Sequence, residues 1–264
     1  MRLLYPSDPL NKAAVDEAFA EEFDAVRSVG FDCSLFSFED FESSRSFRPR
    51  PKPGADEEIL YRGWMLTPDS YARLHGAVEG YGGKPKTSPE QYRRCHYLPE
   101  WYSQCRELTP ETVFLARDAD FASALAGLDW PAFFVKDYVK SLTTQRGSVA
   151  RTPAEVSEVV SLIEQYRGAI EGGVCVRRFE KLLPETEERY FVLNGRSFGR
   201  TDAVPDLVST IAGRIDSPFF SVDVVLSANG GPRLIELGDG QVSDRKRWSA
   251  ERFAAMLRGA RQGD

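Results

Sequence analysis

The hydrophobic residues in the first third of the chain follow two different periods. Residues 3–5 and 31–36 are short apolar runs of the kind that forms strands. Between them, apolar residues recur at the spacing of a helix face: Val15, Ala18, Phe19, Phe23 and Val26. This pattern predicts a helix over 12–28 that ends at Gly30. A strand, a helix and a second strand of this length indicate a parallel pair joined by a crossover.

Further elements are predicted up to residue 105. A short strand covers 58–64, and a helix covers 68–80. A second helical stretch covers 89–105 and is interrupted at Pro99. Residues 43–58 are rich in proline, serine and charged residues, which predicts an exposed loop.

The second half of the chain is richer in strands. Strands are predicted over five segments: 132–136, 174–179, 189–193, 219–225 and 233–237. One helix, over 153–166, separates the first two of these strands. We therefore place a boundary near residue 125, with an α/β part over 1–125 and an α+β part over 126–264.

Composition and charge exclude several classes of protein. The 264 residues carry a net charge of −6, which argues against wholesale binding of a nucleic-acid duplex. No apolar stretch approaches the roughly 20 residues that span a bilayer, and residues 1–6 do not form a signal peptide. The four cysteines lack a CxxC pair, which indicates reduced thiols, and two histidines exclude a multi-histidine zinc site. We expect a cytoplasmic protein without a membrane or nucleic-acid partner.

The most informative segment covers 219–237. Asn229-Gly230 stands between two apolar runs, which is a strong signal for a hairpin with a two-residue turn. With that turn, counting outward along both strands puts Asp223 opposite Glu236 in a non-hydrogen-bonded pair. Two carboxylates at this separation repel each other unless another group offsets their charge.

A divalent hard cation offsets two facing carboxylates best. Carboxylate oxygens that hold Mg²⁺, with substrate phosphates completing the coordination, are the usual arrangement at nucleotide sites. The alternatives are a shared proton, a cationic neighbour, or a register displaced by one residue through Gly230-Gly231, which turns one carboxylate to water. The segment therefore predicts a metal site at Asp223 and Glu236.

A second Asn-Gly pair, Asn194-Gly195, predicts another hairpin, in which Arg189 lies opposite Arg200. Two facing arginines need a counter-charge, and guanidinium groups bind a phosphate or a carboxylate bidentately. We expect both arginines to contact such an anion. The alternative is a surface salt network with one of the nearby acids: Glu187, Glu188 or Asp202.

Charged residues also follow two of the predicted buried strands. Lys136 ends the strand 132–136 and either extends to water or meets the anion of a ligand, and Lys140 offers a second charge. The loop 141–148 combines small hydroxyl residues, one glycine and one arginine, a composition that suits closure over phosphates through backbone N–H groups. Glu180 follows the next strand and either accepts hydrogen bonds from ribose hydroxyls or caps a loop.

Arg62 stands beside Trp64 at the predicted end of a strand in the first part of the chain. A guanidinium in that position is suited to gripping the carboxylate of a substrate. The alternative is a surface arginine that stacks on the tryptophan ring.

Several sequence motifs follow one another in a characteristic order. In the second half they are VK at a strand end, VRRFE, ERYFVLNG, SVDVV and LIELGDGQ; in the first half they are LLYPSDPLNKAAVDEAFAEEF, YRGWMLTPDSY and LPEWY. This succession resembles the ATP-grasp ligases, and most closely the short bacterial and phage ATP-grasp proteins of unassigned substrate. The resemblance covers nearly the whole chain. It implies an ATP-grasp fold, in which a parallel α/β part precedes two antiparallel-sheet lobes that clasp the nucleotide.

The resemblance also implies the cofactors, ATP and Mg²⁺, and the residues that bind them. Lys136 matches the lysine that touches adenine and the α-phosphate, and Glu180 matches the acid that binds ribose. The hinge whose backbone recognises adenine matches three residues: Arg177, Arg178 and Phe179. Arg189 matches the basic residue near the γ-phosphate or the acyl phosphate. Asp223 and Glu236 match the magnesium ligands.

One position departs from the family's pattern. The family commonly has an asparagine two residues after the second metal acid, where this chain has Gly238. We take Asp239 or Gln241 as its replacement, which makes Asp239 a third candidate metal ligand.

The activity that the resemblance implies is carbon–nitrogen ligation. An ATP-grasp ligase phosphorylates a carboxylate to an acyl phosphate, which an amine or another nucleophile attacks, and ADP and phosphate are released. Lys136 and Arg189 would be the catalytic residues, because this reaction needs positioning and charge neutralisation. The partners are then a small-molecule or peptide carboxylate and an amine. The alternatives are a small-molecule kinase and a nucleotide-binding module without turnover.

Overall fold

The computed structural model describes residues 1–43, 46–139, 141 and 146–261, with side chains described as far as residue 259. The chain divides into two compact units. Unit 1 contains residues 1–95, 189–222 and the chain from 238 onward, and unit 2 contains residues 96–188 and 223–237. No boundary between the units lies near residue 125, since residues 96–188 all belong to unit 2. After residue 188 the chain passes from unit 2 to unit 1, back to unit 2 and again to unit 1. The division into 1–125 and 126–264 stays a prediction.

Unit 1 begins with a parallel sheet. Its strands are β1 (Arg2–Pro6), β2 (Asp32–Phe36), β3 (Glu58–Tyr61) and β4 (Lys84–Pro85), in the order β2-β1-β3-β4. β1 pairs in parallel with β2, where Arg2 lies opposite Asp32, and with β3, where Arg2 lies opposite Ile59. The parallel pair expected from the strand, helix and strand pattern is confirmed.

The helices between and after these strands are α1 (Ala20–Ser28), α2 (Phe38–Glu42), α3 (Pro68–Gly80) and α4 (Pro89–His96). α3 has the predicted bounds, because the Thr67 side chain accepts a hydrogen bond from the N–H of Ser70 and a proline takes the first turn. α1 is shorter than the expected helix over 12–28. A 3₁₀ turn over Glu17–Phe19, capped by Asp16, precedes it.

Unit 2 contains the helices α5 (Leu98–Cys105), α6 (Phe121–Leu125) and α7 (Pro153–Arg167). Its antiparallel sheet contains β5 (Thr112–Leu115), β6 (Phe133–Asp137), β7 (Val149–Ala150) and β8 (Val174–Arg178), in the order β5-β8-β6-β7. The sheet and α7 share a core of buried apolar residues, among them Val135, Val156, Val160 and Val176. The break in the expected helix over 89–105 falls at Tyr97, because Pro99 is tolerated in the first turn of α5.

The third sheet is built from the strands of the last third of the chain. They are β9 (Leu182–Leu193), β10 (Arg196–Phe198), β11 (Phe219–Ser227) and β12 (Pro232–Asp239), in the order β10-β9-β11-β12. The helices α8 (Asp206–Ala212) and α9 (Ala250–Arg261) belong to unit 1, where α9 packs against α1. A parallel first sheet followed by antiparallel sheets is the predicted fold class. Across the described ranges, no helix has both the length and the apolar character needed to cross a bilayer.

Candidate functional site

The hairpin at Asn194-Gly195 has the predicted geometry. Both turn residues have positive φ, 51° and 73°, as the central residues of a type I′ turn require. The register of β9 and β10 is the predicted one, with Phe191 opposite Phe198. β10 ends there, so the expected juxtaposition of Arg189 and Arg200 lies beyond the ladder.

Arg189 pairs with an acid that the sequence pattern does not indicate. Its Nη1 donates to Asp244 Oδ1 at 2.8 Å and to the Asp244 carbonyl at 3.0 Å. The Nε1 of Trp248 donates to the Arg189 carbonyl at 2.9 Å, which fixes the backbone at the same point. Asp202, one of the alternative partners, pairs with Arg252 at 3.0 Å. The acid that meets Arg189 thus comes from a distant loop of unit 1.

The turn of the β11–β12 hairpin is longer than predicted. Gly230 N donates to the Ser227 carbonyl at 2.8 Å, and Ser227 N donates to the Gly231 carbonyl at 2.9 Å, so that residues 228–230 form the loop. Gly230 has a φ of 85°, but Asn229 does not have the positive φ that a type I′ turn also requires. The geometry is a type I turn followed by a left-handed glycine, and the expected two-residue turn is wrong.

The open end of the same hairpin has a different register. Gly240 N donates to the Phe219 carbonyl at 3.1 Å. Between this bond and the loop closure there are eight steps along β11, from Phe219 to Ser227, but nine along the facing strand, from Gly231 to Gly240. The facing strand therefore contains one extra residue, which makes a β-bulge.

A carbonyl of β12 indicates where the bulge lies. The Ile235 carbonyl accepts from Arg177 Nη1 at 2.9 Å, outside the hairpin, as expected of a bulge residue that has left the ladder, and Leu234 and Leu237 on either side are buried. Ile235 and Glu236, which lie between them, are both half-buried. We infer that these two residues form the longer side of the bulge, opposite Asp223. With the bulge at that point, Asp223 lies opposite Glu236 through the bulge and not through the predicted turn, and their role as metal ligands stays a prediction.

Lys136 is buried and meets an acid of the same unit. It is 5% exposed in β6, so it does not extend to water, and its Nζ lies 3.1 Å from Glu236 Oε1. Cys175 lies opposite Lys136 in the ladder with β8, and burial raises the pKa of its thiol to about 12. The thiol therefore stays neutral, and Glu236 supplies negative charge beside the lysine.

The predicted hinge lies at the end of β8. Arg177 is 4% exposed and contacts neutral oxygens: its Nη1 donates to the Ile235 carbonyl at 2.9 Å, and its Nη2 donates to the hydroxyl of Thr109. Burial lowers the pKa of this guanidinium to about 10. The backbone N–H groups of Arg178 and Phe179 donate to carbonyls of unit 2 at 2.7 and 2.9 Å. Recognition of adenine by this backbone stays a prediction.

Glu180 forms an ion pair that the sequence pattern does not show. Its two carboxylate oxygens accept from Arg233 Nε at 2.9 Å and from Arg233 Nη2 at 2.7 Å. The pair is about three-quarters buried, with side-chain exposures of 22% for Arg233 and 24% for Glu180. Neither sequence alternative, ribose binding or a loop cap, includes this arginine. Glu180 reaches ribose hydroxyls only by sharing its oxygens with Arg233.

Asp239 lies in a buried polar network of unit 1. Its Oδ1 accepts from the backbone N–H of Gln241 at 2.9 Å and from its Nε2 at 3.0 Å, and the same Nε2 donates to Tyr71 Oη at 2.9 Å. Burial raises the pKa of Asp239 to about 7. Its Oδ1 is thus committed to Gln241, while its Oδ2 has no hydrogen-bond partner among the described residues, and its role as a third metal ligand stays a prediction.

Arg62 lies in the interior of unit 1, not on its surface. Its guanidinium binds Glu22 bidentately, with two N–O distances of 2.7 Å, and donates to the carbonyls of Gly240 and Ser243. It also lies over the ring of Phe253, 4.6 Å from the centroid. Arg62 is 2% exposed, so the alternative of a surface arginine that stacks on Trp64 is wrong. A substrate carboxylate would have to displace Glu22. The placement therefore disfavours a role in gripping substrate.

Two further residues, Lys140 and Arg200, are predicted to contact a phosphate or a substrate anion. Lys140 and residues 142–145 of the loop 141–148 lie outside the described residues. Arg200 is exposed at a bend after β10 in unit 1. Their contacts with a phosphate or a substrate anion stay predictions.

The residues around Glu236 fit a nucleotide with Mg²⁺. Asp223 and Glu236 would offer hard oxygen ligands, of which Mg²⁺ takes one or two from protein and the rest from phosphates and water. Lys136 adds a buried positive charge that is suited to a phosphate. In the part of the chain that the structure covers, no group of three or more His, Cys, Asp or Glu side chains is arranged to hold a metal. A metal here would therefore depend on phosphate oxygens as well.

These sheets and charged residues define an ATP-grasp protein. A family model described as the ATP-grasp domain of R2K clade family 3 matches residues 117–257, which is more than half of the chain. The chain belongs to this family, and the resemblance seen in the sequence is confirmed. Among curated proteins no sequence matches.

Solved structures share the fold over nearly the whole chain. D-cycloserine synthetase DcsG is 16% identical, with a TM-score of 0.63 and 100% of both chains covered. The ATP-grasp ligase PsnB, solved with a minimal precursor, Mg and ADP, is 13% identical, with a TM-score of 0.62 over 98% of this chain and 96% of that one. The D-alanine-D-alanine ligase from Coxiella burnetii is 14% identical, with a TM-score of 0.61 over 92% and 87%. At these identities the likeness shows the fold.

Proposed function

We propose that this protein is an ATP-dependent ligase that activates a carboxylate as an acyl phosphate and joins it to an amine or another nucleophile, with release of ADP and phosphate. The observation that carries the proposal is the contact between the buried Lys136 and the partly exposed Glu236, with Asp223 on the facing strand. A lysine and two carboxylates at one point of a hairpin suit a triphosphate and its cation. Membership of the ATP-grasp family supports the same reaction class.

In this proposal each charged residue has one task. Asp223 and Glu236 hold Mg²⁺, which supplies charge neutralisation on the phosphates when it is bound. Lys136 donates to a phosphate oxygen in place of its present contact with Glu236. Arg189, which now binds Asp244 in unit 1, exchanges that carboxylate for the γ-phosphate or the acyl phosphate. Both exchanges replace one anion by another, so neither cation is left buried without a partner.

The nucleoside is assigned to the end of β8. We propose that backbone groups of Arg178 and Phe179 hold the adenine edge and that Glu180, oriented by Arg233, accepts from ribose hydroxyls. Lys140 stays a candidate for a phosphate contact. ATP and Mg²⁺ are both available in the cytoplasm, which is the location expected from the sequence.

The substrate class is a carboxylate of a small molecule or a peptide, together with an amine. Proteins of the same fold carry names of both kinds: a D-cycloserine synthetase and a D-alanine-D-alanine ligase act on small molecules, and PsnB is solved with a precursor peptide. We propose that this chain likewise takes one carboxylate and one amine.

Product analysis tests the proposal. The protein is incubated with ATP, Mg²⁺, and libraries of amino acids and short peptides, and nucleotides are separated by chromatography while hydroxylamine traps acyl phosphates as hydroxamates. We expect ADP, not AMP, together with a hydroxamate when the correct carboxylate is present. A phosphorylated product that resists hydroxylamine and forms without an amine indicates a kinase. ATP binding without any turnover indicates a silent nucleotide-binding module.

A further inference from the structure

The backbone just before the second candidate metal ligand is held from outside its own hairpin. Leu234 N donates to the Leu108 carbonyl at 2.9 Å. Thr109 Oγ1 donates to the Leu234 carbonyl at 2.7 Å, and Arg177 Nη1 donates to the Ile235 carbonyl at 2.9 Å. Three neighbouring backbone polar groups of β12 therefore bond to other parts of unit 2.

These bonds coincide with the bulge in β12. A bulge disrupts the ladder locally, so backbone groups of the longer strand need other hydrogen-bond partners when they are buried. Thr109 and Arg177 supply such partners from positions that are 1% and 4% exposed. Each donor meets one carbonyl in the two residues that precede Glu236. The hydrogen bonds of Thr109 and Arg177 are therefore placed to fix the position of the extra residue along β12.

The two side chains also hold each other. Arg177 Nη2 donates to Thr109 Oγ1, so the threonine hydroxyl accepts one hydrogen bond and donates another. Within the described part of the chain, Arg177 Nε has no hydrogen-bond partner. The hydrogen-bond partners of this buried guanidinium are neutral oxygens, and the carboxylates of Glu236 and Glu180 act on its charge from farther away. The arginine therefore supplies donors to the backbone of β12 and positive charge near Glu236.

We propose that Thr109 and Arg177 are positioning residues for the metal site: by fixing the bulge at Ile235 and Glu236, they aim the Glu236 carboxylate at the position it shares with Asp223. The proposal rests on the function proposed above. A bulge beside a functional site commonly re-aims one side chain. Partners that orient a ligand in this way are worth about 10- to 100-fold in metal affinity.

A pair of threonine variants separates the hydroxyl from the packing. Thr109→Val keeps the shape but removes the donor to Leu234 and the acceptor for Arg177, whereas Thr109→Ser keeps the hydroxyl. The measurements are Mn²⁺ binding to the protein in the presence of a non-hydrolysable ATP analogue, by electron paramagnetic resonance, and ATP affinity by calorimetry with and without Mg²⁺. We expect Thr109→Val to weaken Mn²⁺ binding and Mg²⁺-dependent ATP binding by about 10-fold or more, and Thr109→Ser to stay within about 3-fold of the wild type.

Thr186→Val is the matched control. Thr186 Oγ1 also donates to a backbone carbonyl, that of Leu183 at 2.7 Å, and also accepts an N–H, that of Leu226 at 2.9 Å, in the same unit. It makes no hydrogen bond to residues 234–236 in the structure described. We expect its substitution to leave metal and nucleotide affinity within about 3-fold of the wild type.

The outcomes are distinguishable. If Thr109→Val lowers ATP affinity equally with and without Mg²⁺, or lowers only the thermal midpoint, the two residues are merely structural and the proposal is overturned. If Thr109→Val does not fold, Arg177→Lys, which keeps the charge but not both donors, is measured in the same way, and unchanged metal binding overturns the proposal. If the wild type has the same affinity for ATP with and without Mg²⁺, the metal site on which this proposal rests is wrong.

Discussion

Lys136 and Glu236 lie 100 residues apart in the sequence, yet Lys136 Nζ is 3.1 Å from Glu236 Oε1. The side chain of the lysine is 7% exposed and that of the glutamate is 41% exposed, so one end of the pair is buried and the other reaches solvent. A buried ammonium needs a counter-charge, and Glu236 provides one. The same glutamate is a candidate metal ligand. Binding of a metal and a triphosphate would therefore replace the contact between Lys136 and Glu236 by two others, one between Glu236 and the metal and one between Lys136 and a phosphate.

Lys136→Met tests the cationic half of that exchange. Methionine keeps much of the apolar stem but cannot donate to a phosphate, so we expect turnover to fall at least about 100-fold, as when one donor to a developing charge is removed. Steady-state ADP release measures the effect. Lys84→Met is the control, because Lys84 is an exposed lysine that pairs with Asp56 at 2.8 Å in unit 1. Equal activity of the two variants would remove Lys136 from the site.

Glu236→Gln and Asp223→Asn test the anionic half. Both substitutions keep shape but remove the charge that a hard cation requires, so each should lower Mg²⁺-dependent ATP affinity by at least about 100-fold. Calorimetric titration of ATP with and without Mg²⁺ separates this loss from general damage. Glu164→Gln is a suitable control, because Glu164 forms an exposed pair with Arg117. Unchanged Mg²⁺ dependence in both site variants contradicts the metal site.

Local patterns predicted the elements better than they predicted the site. The turn at Asn194-Gly195 and its register follow from two adjacent residues that tolerate positive φ, and the structure confirms them. The same dipeptide at Asn229-Gly230 folds as a type I turn with a left-handed glycine, because only the glycine takes positive φ there. That change alone would displace Asp223 from Glu236, and the bulge that we infer at Ile235 and Glu236 would restore their juxtaposition.

The sequence pattern does not indicate which distant residues form ion pairs with each other. Arg189 meets Asp244, and Glu180 meets Arg233, in pairs separated by 55 and 53 residues. Neither pair follows from strand alternation or from spacing, because each depends on how whole elements pack. Arg62 shows the same limit, since its position after a short strand gave no sign that it would be buried.

Substitutions in the two turns test their different geometries. Gly230→Ala forces an alanine to a φ of 85°, which should destabilise the protein by about 1–2 kcal/mol, although an added Cβ meets no atom within 4 Å. Asn229→Ala should cost little, because its φ is not positive. Urea unfolding measures both changes. If the Asn229 variant were as destabilised as the Gly230 variant, the turn would be of type I′ after all.

The buried pair of Glu22 and Arg62 should be a strong structural contact. Both residues are 2% exposed, and removal of one partner leaves a buried charge, so Arg62→Met or Glu22→Gln should each destabilise unit 1 by about 3–5 kcal/mol. The double variant should recover part of that loss. Urea unfolding of the four proteins of the cycle measures the coupling. Normal stability with a raised KM in Arg62→Met would instead support the carboxylate grip expected from the sequence.

Asp239 should make stability depend on pH. Burial raises its pKa from 3.8 to about 7 in the folded protein, so between these values the folded state binds a proton that the unfolded state has lost. This stabilising effect of the proton is fully present below pH 3.8 and is lost as pH rises through about 7. Its Oδ2, which has no hydrogen-bond partner among the described residues, is a place for that proton.

Asp239→Asn removes the titration while keeping the acceptor for Gln241. Asparagine stays neutral, so the free energy of unfolding of the variant should fall less between pH 5 and pH 8 than that of the wild type, by a few kcal/mol at most. Urea unfolding of both proteins at the two pH values measures the difference. Identical pH dependence would mean that Asp239 is ionised at neutral pH. In that case solvent or a cation must reach the carboxylate, as the predicted role of Asp239 as a metal ligand requires.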